Sequence, residues 1–354
     1  MKKPAIPEAP PRVVPMPVPV PASVSREARA FLASPPTAPP AYPPLDDPVG
    51  WRRLAAAHED ALLRHMAGRS VDGVEVGHIR VQEARVHVIT PPGLDRDDPR
   101  IYLDLHRGAL FVGSGDCCRA TGTSTALRVR MRTWAVDYRM PPDHPCPAAL
   151  DDCVAVYRAL LKEHAPHEIV VGGASAGGNL AAALLLRARD EGLPLPTASI
   201  LLSPELDLTE SGDSFTTNLG VDTVLTRGTM PANLLYADGH DLADPYLSPL
   251  FGDFSPGFPP TLLASGTRDL FLSNAVRMHR ALRAAGVPAD LHVFEAAPHG
   301  LMPPGTPEDE ELLREVRCFI DANCPRPPST KPARGSAEGA RGNRQPARAD
   351  RSGR

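Results

Sequence analysis

The stretch over residues 168–183 constrains the fold of this chain more than any other. It reads EIVVGGASAGGNLAAA, a β-branched run followed by Gly-Ala-Ser-Ala-Gly and then by an Ala- and Leu-rich helical pattern. A serine at such a switch from strand to helix adopts a strained turn that lifts its hydroxyl above the sheet. Gly173 and Gly177 leave space where larger side chains would collide with the strand and the helix. The pattern predicts that Ser175 is a nucleophile at the carboxyl end of a buried strand.

Strands and helices alternate along most of the chain. GVEVGHIRV and ARVHVITP, which begin near residue 73, alternate in β fashion and predict an antiparallel pair. Helical spacing of apolar residues then separates six further predicted strands, which are RIYLDLH, RTWAVDY, EIVVGG, TASILLS, TLLASGT and ADLHVFEA. The last predicted helix begins with Thr306 as N-cap and Pro307 at its first position. The alternation predicts an α/β fold with a mostly parallel sheet and helices on both faces.

Composition divides the chain into three parts. Residues 1–45 are rich in proline and are predicted to form a disordered extension, and residues 46–324 are predicted to form the folded domain. Residues 325–354 carry eight basic and two acidic side chains and are predicted to form a disordered basic tail. The whole chain has a net charge of −4, so the other 324 residues carry about −10. An acidic body of this kind gives no indication of nucleic-acid binding.

Several features predict a cytoplasmic protein. The chain contains no apolar run of the roughly 18 residues that a membrane span needs, and no uninterrupted apolar segment of a signal peptide follows its first lysines. Six cysteines show no disulfide framework, and no CxxC pair indicates zinc. The cysteines are therefore expected to be reduced thiols. The sequence leaves open whether the protein is a monomer or a homodimer.

Two segments interrupt the alternation. Residues 46–70 are helical in pattern and precede the first strand, and residues 209–247 are inserted before the strand TLLASGT. We interpret both as parts of a helical cap over the active site.

Two further residues stand where a serine nucleophile needs partners. Asp269 follows the strand TLLASGT, and His299 follows the strand ADLHVFEA. The carboxyl ends of parallel strands meet at one edge of a sheet, so these side chains are expected near Ser175. A serine nucleophile needs a base to take its proton and an acid to orient that base. The chain order of serine, aspartate and histidine is that of α/β-hydrolases, and it predicts a catalytic triad.

The sequence also resembles a known family. The loop after RIYLDLH reads HRGALFVGSG from His106 onward and is similar to the HGGG loop of the hormone-sensitive-lipase-like, or family IV, esterases of the α/β-hydrolase superfamily. Residues 137–149, DYRMPPDHPCPAA, resemble the family's DYRLAPEHPFPAA block, and residues 203–214, SPELDLTESGDS, resemble its SPxxDLTxSGDS block. The resemblance covers roughly residues 50–322. Residues 275–300 are similar to the bacterial branch that includes monoterpene lactone hydrolases.

The resemblance implies roles for the residues of the site. Ser175 would attack an ester carbonyl, His299 would transfer the proton and Asp269 would orient His299. The backbone amides that would bind the oxyanion belong to Gly108, Ala109 and Ala176, and His106 is interpreted as orienting their loop. Water would then hydrolyse the acyl-enzyme, with no metal or organic cofactor.

The chain departs from the family at three positions near the predicted site. Arg107 and Ala109 replace glycines of the HGGG loop, and Ala174 stands where the family commonly has Asp or Thr. Backbone amides survive these changes, so the oxyanion donors are retained.

The resulting prediction is a serine hydrolase of short-to-medium acyl esters or lactones, because a capped pocket excludes emulsified long-chain fat. Two alternatives stay open. The protein could be a non-catalytic, ligand-binding member of the fold, or the same triad could hydrolyse amides.

Overall fold

The computed structural model describes residues 18–34, 41–68, 70–226, 228–254 and 257–326. Eight strands in this part of the chain form one sheet in the order β1-β2-β4-β3-β5-β6-β7-β8. Their bounds are β1 Glu75–Val81, β2 Ala84–Thr90, β3 Ile101–Leu105, β4 Arg132–Asp137, β5 Ile169–Ala174, β6 Ala198–Leu202, β7 Thr261–Gly266 and β8 Ala289–Phe294. The β1–β2 and β2–β4 pairs are antiparallel and all the others are parallel. The predicted α/β fold and its antiparallel pair are confirmed.

Helices cover both faces of the sheet. The helices of the described residues are α1 Arg26–Leu32, α2 Pro48–Met66, α3 Asp116–Val129, α4 Ala148–Leu160, α5 Ala176–Asp190, α6 Ser214–Thr217, α7 Met230–Ala237, α8 Leu272–Ala284 and α9 Pro307–Asn323. Apolar residues of α4, α5 and α8 pack with Leu103 of β3 on one face, whereas α1, α3 and α9 pack with Tyr102 on the other. Successive strand residues point to opposite faces of the sheet, and helices bury both faces. Almost every residue of β3 and β5 is therefore apolar.

The helix α1 was not predicted. Residues 22–34 are free of proline, and Val24, Ala28 and Leu32 recur at a spacing of four and are buried. Ser25 caps the helix, and both its backbone N–H and its hydroxyl donate to the Glu308 carboxylate at the start of α9, at 2.7 and 2.8 Å. The prediction of a disordered extension is therefore wrong for residues 18–34. Residues 41–45 at the end of the predicted extension are also described, and Tyr42 stacks on Trp51 with ring centroids 5.5 Å apart. The parts of the extension over residues 1–17 and 35–40, and nearly all of the predicted basic tail, lie outside the described residues.

The first predicted cap segment contains α2, and the second contains α6 and α7. Trp51 of α2 is fully buried and packs in one cluster with Phe111, from the loop after β3, and with Ala232 of α7. The ring centroids of Trp51 and Phe111 are 5.2 Å apart in an edge-on arrangement. The two segments therefore meet over the loop that follows β3.

The helix α3 also lacks a clear sequence signal. Its buried face consists mainly of small residues, among them Cys118, Gly122 and Ala126. A Cβ on Gly122 would overlap the side chain of Ala135 in β4, so the helix lies very close to the sheet. Small residues make this approach possible, but they produce no apolar periodicity.

Within the described part of the chain, no helix is both long enough and apolar enough to cross a membrane.

Candidate active site

Ser175 lies in the turn between β5 and α5. Its backbone φ is +56°, in the left-handed region that non-glycine residues rarely adopt. A Cβ on Gly177 would overlap the Leu105 carbonyl, and one on Gly173 would overlap the backbone of Gly177. The Ser175 N–H donates to the carbonyl of Leu202 in β6 at 2.9 Å. The two glycines thus have the steric role that the sequence predicted for them.

Three residues predicted from strand ends come together at this turn. His299 Nε2 lies 2.9 Å from Ser175 Oγ, and His299 Nδ1 lies 3.1 Å from Asp269 Oδ1. Ser265 Oγ donates to Asp269 Oδ2 at 2.8 Å, and the Phe271 N–H donates to Asp269 Oδ1 at 2.9 Å. All three side chains are buried, with Asp269 completely so. The arrangement holds a hydroxyl, an imidazole and a carboxylate in hydrogen-bonding succession.

The charges of the imidazole and the carboxylate depend on each other. Burial alone would lower the pKa of His299, but the charge and hydrogen bond of Asp269, together with the charge of Asp222, outweigh burial and hold that pKa above its usual value. Burial alone would raise the pKa of Asp269, but the charge and hydrogen bond of His299 keep it below its usual range. The pair therefore stabilises an imidazolium beside a carboxylate.

The loop after β3 contains the candidate oxyanion donors. Gly108, Ala109 and Leu110 have φ values of +143°, +48° and +62°. The N–H groups of Phe111 and Val112 both donate to the Gly108 carbonyl, which closes a tight turn. A Cβ on Gly108 would overlap the Val112 carbonyl, so glycine is required there. Ala176, the third candidate, is the first residue of α5, where backbone N–H groups have no partner within the helix.

The departure from the family at Arg107 is compatible with this turn. Arg107 is not among the described residues with positive φ, so its position does not need glycine. His106 precedes Arg107, and the backbone carbonyl of His106 accepts a hydrogen bond of 2.7 Å from the Tyr138 hydroxyl. The two rings stack with centroids 4.0 Å apart.

Two carboxylates that the sequence analysis missed hold the far end of this loop. Glu59 Oε1, from α2, accepts three hydrogen bonds of 3.0 Å from the backbone N–H of Gly113 and from the N–H and hydroxyl of Ser114. Asp137 Oδ1 accepts the Gly115 N–H at 2.9 Å. Neither contact follows from local sequence, because Glu59 is one of many acidic residues on a helix.

Asp222 was missed as well. This buried residue of the second cap segment accepts the N–H groups of Leu270 and His299 on Oδ2, at 2.9 and 3.1 Å. Its Oδ1 accepts those of Val224 and Leu225. One carboxylate therefore ties the cap segment to the loops that carry Asp269 and His299.

A cavity of about 380 Å³ adjoins the triad. Arg107, His299, Gly300 and Ala174 line it next to Ser175. Its apolar wall comes from α1, α2, α3 and α9, and includes Phe31, Leu62, Met66, Val129, Leu312 and Val316. Such a volume lies at the lower end of the range for small-molecule sites.

Comparison with known proteins assigns the class. A family model described as alpha/beta hydrolase fold matches residues 102–303, which is more than half of the chain. The chain therefore belongs to this family.

Relatives narrow the class further. The chain is 35% identical over 198 residues to an esterase of Acinetobacter venetianus, and the match covers 55% of this chain and 65% of that protein. It is 32% identical over 240 residues to an acetyl-hydrolase of Streptomyces hygroscopicus, and the match covers 63% of this chain and 80% of that protein.

Solved structures agree. The crystal structure of esterase E25 matches with a TM-score of 0.81 and 32% identity, covering 88% of this chain and 98% of that one. An esterase from the bacterial hormone-sensitive lipase family matches with a TM-score of 0.70 and 31% identity over 80% of this chain and all of that one. These similarities place the chain among the hormone-sensitive-lipase-like carboxylic ester hydrolases, as the resemblance predicted. The monoterpene lactone branch stays a prediction.

Proposed function

We propose that the protein hydrolyses carboxylic esters or lactones of short-to-medium acyl length, with Ser175 as nucleophile, His299 as base and Asp269 as orienting acid. The observation that carries the proposal is the continuous hydrogen-bonded chain from Ser175 Oγ through the imidazole to Asp269.

The geometry supports ester hydrolysis in two halves, in which the acyl-enzyme forms on Ser175 and is then hydrolysed by water. His299 Nε2 takes the Ser175 proton as Oγ attacks the ester carbonyl, and it then gives that proton to the leaving alcohol. The N–H groups of Gly108, Ala109 and Ala176 stabilise the oxyanion. In the second half His299 takes a proton from water as the water oxygen attacks the acyl carbon, and it then returns that proton to Ser175 Oγ as the bond between Oγ and the acyl carbon breaks and the acid is released. No further co-reactant is needed to balance either half.

Asp269 and the depth of the site support the proton transfer. The carboxylate keeps the hydrogen on Nδ1, so Nε2 faces the serine with its lone pair. Burial of all three side chains strengthens the attraction between the carboxylate and the imidazolium that forms. The raised pKa of His299 makes it a stronger base toward the serine hydroxyl.

The size of the cavity supports the substrate range. Its volume of about 380 Å³ suits a short or medium acyl chain, and its lining is mainly apolar. The relative named acetyl-hydrolase supports the same range. So does the esterase EstE5, a solved structure 27% identical to this chain with a TM-score of 0.73, whose crystal was soaked with p-nitrophenyl butyrate.

A fluorophosphonate probe that reacts with activated serines tests the nucleophile. We expect labelling of the protein, loss of labelling in Ser175→Ala, and unchanged labelling in the control Ser70→Ala, since Ser70 is exposed. A wild-type protein that takes no label would contradict the proposal and favour the ligand-binding alternative.

Substrate range is tested separately with p-nitrophenyl esters from acetate to palmitate. We expect the largest kcat/KM at or below medium chain length, and a maximum at palmitate would refute the proposed range. Faster turnover of p-nitroanilides than of the matched esters would instead identify an amide hydrolase.

A further inference from the structure

A second cluster of reactive side chains lies behind the oxyanion loop, which consists of residues 106–115 between β3 and α3. An imidazole nitrogen of His106, Cys118 Sγ and a carboxylate oxygen of Asp137 lie within 4.8 Å of one another. They come from three separate elements, namely the loop after β3, the helix α3 and the last residue of β4. The proposed hydrolysis uses none of these three side chains as a reacting group. From this geometry we propose that they bind a divalent transition-metal ion, with Zn²⁺ as the best match.

The imidazole of His106 is oriented as a ligand. Its Nδ1 lies 2.9 Å from the Arg107 carbonyl oxygen. A carbonyl only accepts, so Nδ1 carries the hydrogen and Nε2 carries the lone pair. Nε2 is buried and has no hydrogen-bond partner among the described residues, in a side chain that is 2% exposed. Metal-binding histidines show this arrangement, in which the other ring nitrogen donates to a carbonyl or carboxylate.

An unpartnered basic nitrogen at this depth is unfavourable unless something binds it.

The other two side chains supply the negative charge. Cys118 is a buried cysteine outside any disulfide, and its free thiol carries one proton. Binding replaces that proton, since Zn²⁺ and the thiol give a zinc–thiolate bond and one released H⁺. Asp137 uses Oδ1 to accept the Gly115 N–H, which leaves Oδ2 for the metal. One thiolate and one carboxylate balance the charge of a divalent ion, so the occupied site is neutral.

The distances fit zinc after small movements. Zinc bonds of about 2.0–2.3 Å place tetrahedral ligand atoms roughly 3.5 Å apart. The present separation of up to 4.8 Å therefore closes with side-chain shifts of about 1 Å. A mixed set of sulfur, nitrogen and oxygen ligands also favours zinc over calcium or magnesium, which take oxygen.

The fourth ligand is a water molecule or His87. His87 pairs across the sheet with Ala135, on the same face as Asp137. Its Nε2 is likewise buried and without a partner in the described part of the chain.

A bound ion would connect both ends of the oxyanion loop. His106 begins this loop, and Asp137 holds Gly115 at its other end. The expected consequence is a higher Tm of the loaded protein, because the ion binds the folded state alone.

Cobalt absorption tests the proposal on the full chain without an affinity tag. Co²⁺ bound to a thiolate gives a charge-transfer band in the near ultraviolet, which Co²⁺ bound to histidine or carboxylate alone does not give. After treatment with a chelator and titration with Co²⁺, we expect this band at one ion per chain and its loss on addition of Zn²⁺. Cys118→Ser should abolish the band, and His106→Gln should weaken Co²⁺ binding by about 100-fold or more.

Two controls make the test specific. Cys117→Ser changes the adjacent cysteine, whose thiol donates to the Glu59 carbonyl, and should keep the band. His299→Ala should also keep it, which separates this cluster from the proposed triad. The absence of a band in the wild-type protein would overturn the proposal. So would an unchanged band in folded Cys118→Ser and His106→Gln, or the loss of the band in His299→Ala.

Discussion

Replacing Asp269 by asparagine would remove one negative charge from the candidate active site and leave its shape intact. Asp269 Oδ1 accepts the N–H groups of Phe271 and His299, so an oxygen must occupy that position in the variant too. The asparagine amide nitrogen then takes the place of Oδ2, next to Ser265 Oγ, which can turn to accept it. The variant should fold, and His299 should keep its hydrogen on Nδ1.

The expected loss of activity follows from this charge. The Nδ1–Oδ1 distance is 3.1 Å, and the charges spread over both groups are centred about 4 Å apart. At that separation, and with an effective dielectric constant of about 20, the attraction between carboxylate and imidazolium is about 4 kcal/mol. Each 1.4 kcal/mol is a factor of ten, so kcat/KM should fall roughly 1,000-fold. A larger loss, of about 10,000-fold, is typical where the amide also forces the wrong imidazole tautomer.

The pH profile of kcat/KM for a p-nitrophenyl ester supplies the second measurement. In the wild type the pKa of His299 is raised above 6.5, so activity should disappear as the pH falls through a value above 6.5. In Asp269→Asn the carboxylate charge that raises the His299 pKa is absent, whereas burial still lowers that pKa. Arg107 further lowers the His299 pKa, whereas Asp222 still raises it. The acid limb should therefore move to lower pH in the variant.

Ser265→Ala is the matched control, because it removes a hydrogen bond to the same carboxylate without changing its charge. It should cost less than tenfold in kcat/KM. The reasoning is refuted if folded Asp269→Asn stays within tenfold of the wild type, or if its acid limb does not move down.

Three further predictions concern residues that hold the site and the fold together. Glu59→Gln weakens three charge-assisted hydrogen bonds to the oxyanion loop and should lower kcat by about 10- to 100-fold, with fluorophosphonate labelling retained. Unchanged kcat would show that the loop needs no support from α2. Asp222→Asn removes the carboxylate that accepts hydrogen bonds from the N–H groups of Leu270 and His299. We expect the free energy of unfolding, measured in urea, to fall by about 2–4 kcal/mol, and kcat to fall as well. Glu308→Ala releases α1, which carries Phe31 of the cavity wall, and should lower both the Tm, by about 2–6 °C, and kcat/KM, whereas an unchanged kcat/KM would show that the cavity does not depend on this anchor.

The sequence was informative wherever the physical cause is local. The elbow around Ser175 is visible because sterics within five residues require glycines there. The strands are visible because burial on both faces requires continuous apolar runs. Thr306 indeed caps α9, and Pro307 begins it. By contrast, α3 was not predicted, because its packing depends on small residues such as Gly122 whose role appears only against Ala135.

The sequence by itself determined the order of the eight strands and of the helices with a regular apolar spacing, the position of the strained serine, and which strand ends carry Asp269 and His299. The tertiary structure alone decided the contacts among residues far apart along the chain. It placed Glu59 under the oxyanion loop, Asp222 behind the imidazole, and His106, Cys118 and Asp137 around one point. Acidic residues, cysteines and histidines occur throughout the sequence without a local pattern. Their function depends on which side chain they face after folding, and no periodicity of the chain encodes that choice.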